Sequence, residues 1–215
     1  MSLPELTWQI VYGRLAWALV IAALVCTLWP PAWRLPRRTA AALLLATAAL
    51  QALPGAASPA YWLGLAFQWP SAALALLCAL KLYRTWQGDG RQPALTPPLA
   101  MGIALVGLVL YLDAMGVLAL GLYSWGFGPT AAPVTALLLA AACTGAAIVN
   151  RARGQALALL MALTLFAVLR LPTGNLWDAL LDPLLWGWSL FSLAVRWWRT
   201  WALQRRPRAV DARSA

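Results

Sequence analysis

The lysines and arginines of this chain fall almost wholly in alternate gaps between apolar stretches, and that pattern restricts the fold more than any motif does. Of the 16 basic residues, all but Arg14 and Arg170 lie in four places: Arg34, Arg37 and Arg38; Lys81, Arg84 and Arg91; Arg151 and Arg153; and the run from Arg196 to Arg213. The gaps at 54–60, 124–131 and 172–175 carry none. Membrane proteins that cross the bilayer several times collect Lys and Arg in their cytoplasmic loops in this way. Composition agrees: 63% of residues are hydrophobic and 10% charged, against roughly 45–50% and 25% in soluble domains.

About twenty apolar residues span the hydrocarbon. The stretches at 6–28, 39–53, 61–83, 99–123, 132–149, 156–171 and 176–195 are the candidates. Lipid offers no partner to backbone N–H and C=O groups, so each is expected to be helical. The pattern predicts an all-α, polytopic integral membrane protein with seven transmembrane helices, the N-terminus outside and the C-terminus cytoplasmic. Residues 1–200 form the bundle, and 201–215 form a basic, unstructured cytoplasmic tail. Trp29, Trp33, Trp86, Trp197, Trp198 and Trp201 mark the cytoplasmic interface, and Trp8, Trp62, Trp125 and Trp177 the outer one. A net charge of +10 held in short loops and a tail suits the anionic cytoplasmic leaflet as partner rather than nucleic acid. Arginine outnumbers lysine on an Ala/Leu background, a composition associated with GC-rich bacteria, so the expected location is a bacterial cytoplasmic (inner) membrane. Glu5 stands ahead of the first basic residue and no small-residue cleavage site follows, so residues 6–28 read as a permanent helix.

Sliding the chain by 115 residues lays Trp62 on Trp177, Leu65 on Leu180, Lys81 on Arg196, and Arg84-Thr85-Trp86 on Arg199-Thr200-Trp201. This suggests repeats 6–86 and 124–201 joined by a helix at 99–123. Chance matching of Ala/Leu-rich segments gives the same alignment a competing explanation. The three-one-three plan resembles the SWEET sugar transporters and, more distantly, the microbial rhodopsins. The resemblance is architectural: the Pro-Gln pair of the first is absent, and Lys81 ends the third stretch, so no lysine stands in the seventh for a retinal Schiff base.

Only 6 acids exist, and Asp113, Asp178 and Asp182 fall within apolar stretches. A charge at the bilayer centre costs at least ~2.5–3.5 kcal/mol, so such residues should turn toward the bundle interior or a wetted cavity. Asp113 and Asp182 are the expected polar site at the membrane midplane, with the deep rings of Trp69, Trp186 and Trp188 as apolar platforms. Asp182 precedes Pro183, which removes a backbone donor and is expected to kink the helix. Asn175 reads as a helix N-cap with Asp178 in the first turn, and Arg170 with Asp178 as a structural ion pair. The other reading of that pair is a gate or an anion-attracting mouth. Arg14 either snorkels outward or meets Asp182.

Several chemistries are excluded. There are no histidines, which removes histidine-ligated metal or haem and a serine–histidine hydrolase. Cys26, Cys78 and Cys143 lie in apolar stretches without a Cys-x-x-Cys pair. No glycine-rich phosphate loop occurs, and the Gly-x-Gly-Asp context of intramembrane aspartyl proteases is missing. No catalytic residue, cofactor or metal is expected. Two functions stay open: a small-solute transporter or channel built around the intramembrane aspartates, and a non-catalytic membrane subunit scaffolding a larger envelope complex for glycan synthesis or export. The orientation is directly testable. On a background lacking Cys26, Cys78 and Cys143, a cysteine replacing Ser2 should react with an impermeant maleimide from outside intact cells. One replacing Ser214 should react only after lysis.

Overall fold

The computed structural model describes residues 4–29, 36–89, 92–150 and 152–211, with side chains through residue 203. Arg34, Trp33, Arg91, Arg151 and Arg213 of the charge and aromatic pattern lie outside the described residues. Ten α-helices make up the described chain, which contains no strand: α1 (Leu6–Leu28), α2 (Arg37–Gln51), α3 (Pro59–Phe67), α4 (Ala72–Gln87), α5 (Pro97–Ala114), α6 (Leu122–Trp125), α7 (Ala131–Ile148), α8 (Arg153–Leu169), α9 (Leu176–Leu180) and α10 (Pro183–Asp211). Three of them, α1, α5 and α7, are long and apolar enough to cross a membrane, and α8 is a shorter apolar helix.

Three of the apolar stretches are not the single helices expected of them. The stretch 61–83 is divided into α3 and α4 by a break at Gln68-Trp69-Pro70-Ser71, where Gln68 takes a left-handed φ of 61°. The stretch 176–195 is divided into α9 and α10 at Leu181-Asp182. Pro70 and Pro183 supply part of the cause, since neither has an N–H to continue the preceding helix and each ring crowds the turn before it. The capping residues supply the rest. The Ser71 hydroxyl accepts from Leu74 N at 3.0 Å, and Asp182 Oδ1 accepts from Leu185 N at 2.6 Å with proline in the first helical position. Both are helix starts, and their local preference overrides the apolar run around them. The stretch 99–123 ends as a helix at Ala114, where Gly116 (φ 76°) begins a loop leading to α6. At the C-terminal end the correction runs the other way: α10 continues through the expected tail to Asp211.

The core is centred on α4. Its Ala72, Ala73, Leu74, Leu77, Cys78 and Leu82 pack with Ala22 and Ala23 of α1, Ala100 of α5, Ala158 and Ala162 of α8, and Leu185 of α10. Alanines at so many contacts let helix backbones approach closely, which is how helices associate where lipid removes the hydrophobic drive. A smaller cluster joins α7, α8 and α9 through Ala132, Leu163, Phe166, Leu176 and Ala179. Helix α1 packs on α2 and α4, α5 on α10, and α7 on α8. Among the described residues, the pair α7 and α10, which the 115-residue shift makes the counterpart of α1 and α4, has no packing of comparable extent. Outward faces are apolar: Leu28, Leu45, Leu65, Leu137, Ile148 and Phe191 are each more than half exposed. Patches of this kind mark surfaces that meet lipid or another protein.

Beyond α4, residues 92–96 pack against the helices. Gly88 closes the helix in the left-handed region (φ 91°), and the connection to α5 buries Ala94 and Leu95. Its Pro93 carbonyl accepts from Arg84 at 2.7 Å and its Leu95 carbonyl from Arg196 at 3.3 Å.

Two glycines are slots for tryptophan rings. A Cβ on Gly13 would lie 2.1 Å from the Trp69 ring, and one on Gly107 would lie 2.3 Å from Trp186. Gly13→Ala and Gly107→Ala should each lower stability by about 1–3 kcal/mol through overpacking. Gly102 and Gly145 face open space; their alanine variants should be neutral or more stable by about 0.5–1 kcal/mol. Thermal unfolding midpoints in one detergent compare the four.

Candidate functional site

The two helix breaks meet. Asp182 is buried, and besides capping its own helix it accepts through Oδ2 from the backbone N–H of Ser71 at 2.5 Å. One carboxyl group therefore holds the N-terminal ends of both α4 and α10, where the peptide dipoles favour negative charge. The carbonyls freed by the break before α4 are taken by α1. The Tyr12 hydroxyl donates to Pro70 O at 2.6 Å, and the Trp17 indole N–H to Gln68 O at 3.3 Å. Backbone groups exposed by a break in apolar surroundings need such partners, and here each partner comes from another helix.

Beside the junction lies a cavity of about 410 Å³, within the range of small-molecule sites. Asp182, Asp178, Tyr111, Trp69, Thr173 and Trp177 are among its lining. Asp178 stands in the first turn of α9, which Asn175 caps by accepting from Trp177 N at 2.9 Å. Its carboxyl oxygens accept from the Tyr123 hydroxyl at 2.9 Å and the Thr173 hydroxyl at 2.5 Å. The Tyr111 hydroxyl is buried without a hydrogen-bond partner. A second cavity of about 630 Å³ adjoins the first. Gln68, Trp69, Pro172 and Thr173 belong to the walls of both, so the Trp69 ring, seated against Gly13 and Gly64, forms part of the partition.

The sequence-predicted residues separate into those the cavity collects and those it does not. Asp182 and Trp69 line it. Asp113 does not: it stands at the end of α5, and its carboxyl accepts from Leu120 N at 2.6 Å, Gly121 N at 2.9 Å and Tyr123 N at 2.9 Å. It organises the loop into α6 instead of facing Asp182 across a midplane site. Trp186 is a packing residue whose indole N–H donates to Ala104 O at 3.1 Å and whose ring meets Tyr111 edge-on, 5.1 Å between centroids. Trp188 packs against the core around α4. The expected ion pair between Arg170 and Asp178 is not formed among the described residues. The guanidinium lies 5.1 Å from the centroid of the Phe166 ring, while two hydroxyls hold Asp178. Arg14 reaches Ala52 O at 3.5 Å and lines the second cavity rather than meeting Asp182.

Sequence reasoning did not select Tyr111, Tyr123, Thr173 or Trp177 for the site. Tyr111 had a usable signal, a phenol deep in an apolar helix; the others sit at loop and helix ends, where no periodicity marks them. Among the described residues no group of three or more His, Cys, Asp or Glu converges on a metal-sized site.

The role of Asp113 can be checked directly. Asp113→Ala leaves three backbone N–H groups without their acceptor, so the amides of Leu120, Gly121 and Tyr123 should lose protection from hydrogen exchange. The amides of α10 should keep theirs. Family models, curated proteins and solved structures offer no match to this chain, so the functional reading rests on the site.

Proposed function

We propose that the chain is a multi-pass protein of a bacterial cytoplasmic membrane that binds a small solute in the 410 Å³ cavity and carries it across. In this reading α3 with α4, and α9 with α10, each make one crossing as a pair of half-helices, and together with α1, α2, α5, α7 and α8 they make seven. The N-terminus is outside and the basic ends of the helices are cytoplasmic. One observation carries the reading: two discontinuous helices bring their breaks together at Asp182 beside a cavity. Half-helix ends and unwound backbone at membrane depth recur where transporters hold substrate, because irregular backbone is tolerated there only when protein or water satisfies it. Trp69 contributes a wall shared with the adjoining cavity, which makes it the barrier a solute passes.

The other reading, a scaffold subunit of an envelope complex, has its own support in α7. That helix buries only Ala132, and Gly145 faces open space. A stoichiometric protein that co-purifies under mild detergent, with no flux from the reconstituted chain, would favour it. The transport reading expects purified protein in proteoliposomes to move a small solute. Asp182→Asn should cut the initial rate by at least about tenfold, the effect of a 1.4 kcal/mol loss. Trp188→Phe should leave it within about twofold, since that ring only packs. An undiminished rate in folded Asp182→Asn protein would overturn the role given to this carboxyl.

A further inference from the structure

Resting on the solute-site reading above, we infer that the occupant of the 410 Å³ cavity is a small organic cation, an alkylated ammonium that sets its charge against Asp178 and Asp182 and its methyl groups against aromatic rings. The cavity holds two carboxyl groups and no lysine or arginine. The groups that hold these acids are neutral. Backbone N–H groups of Ser71 and Leu185 serve Asp182, and hydroxyls of Tyr123 and Thr173 serve Asp178. All four carboxyl oxygens act as acceptors, the arrangement a carboxylate makes. Arg14 and Arg170 are directed elsewhere, to the Ala52 carbonyl and the Phe166 ring.

The rest of the lining narrows the class. Trp69, Trp177, Tyr111, Tyr123 and Phe67 bring five aromatic rings to one space, and ring faces attract cations whose hydration is weak. A metal ion would want several oxygen ligands, whereas most of this wall is aromatic and aliphatic. An anion would meet like charge, because the helix ends that could have received it already hold Asp182.

The probe pair is choline and its uncharged isostere 3,3-dimethylbutan-1-ol, titrated into the purified full-length protein in detergent and followed by tryptophan fluorescence and calorimetry. Choline should bind at least about tenfold tighter than the isostere, a difference of about 1.4 kcal/mol. Asp178→Asn should weaken choline by about three- to tenfold, while leaving the weak affinity of the isostere unchanged. Equal binding of the two probes overturns the cation inference without any variant, and so does failure of both to bind. Flux in proteoliposomes separates this claim from the transport reading. Choline binding without choline flux sustains the cation site and counts against transport. Flux of a neutral sugar, unaffected by choline, sustains transport and overturns the cation site.

Discussion

Asp182 sits where two helices begin, and the arrangement around it depends on satisfying polar backbone in surroundings that contain little water. Breaking a helix releases N–H and C=O groups that cost several kcal/mol each if left bare in hydrocarbon. The chain solves this twice at one place. A single carboxyl group takes an N–H from each new helix start. The carbonyls stranded before α4 are met by Tyr12 and Trp17 from α1. Removing Asp182 would strand the ends of both α4 and α10 at once, so its structural role cannot be separated from the role proposed for it in solute binding.

That economy also explains the position of the cavity. A continuous helix presents side chains to its neighbours and encloses its own backbone. Where the helices are interrupted the cavity is bordered by caps, short loops and the side chains that hold them. Asp178, Thr173 and Tyr123 belong to the same kind of boundary at the start of α9. Leu110, Tyr111 and Ala114 of α5 and Pro183 and Leu184 of α10 line another part of the cavity wall.

Much of this was legible in the amino-acid order, and the remainder was hidden for identifiable reasons. Apolar stretches located every long helix, since segment length and composition are local properties. Asn175 and Asp178 were read as a helix start, and the structure has that cap. Pro183 was read as a kink where the chain has a full break; Asp-Pro, like Pro-Ser before α4, is the start signal that could have sharpened the expectation. Asp113 is buried, as its place in an apolar run implies, but that place does not reveal which groups it meets. Gly116 and Gly121 just beyond it are turn residues, and an acid at such a helix end has loop N–H groups within reach. Arg170 and Asp178 are near in sequence and opposite in charge, but hydroxyls from Tyr123 and Thr173 and the Phe166 ring proved closer partners, and tertiary competition of that sort leaves no trace in spacing. Trp186 and Trp188 illustrate the same point: a ring deep in a helix has the same sequence appearance whether it faces a void or fills one.

Arg84 and Arg196 serve as fasteners as well as charges. Their guanidinium groups grip the carbonyls of Pro93 and Leu95, keeping the turn between α4 and α5 packed against the helices. In the proposed topology the same residues also belong to the charge bias that orients a nascent chain. Exchanging either for glutamate would then disturb insertion and latch together. Lysine substitution retains the charge but forfeits the guanidinium fork, so it isolates the mechanical share of what these arginines do.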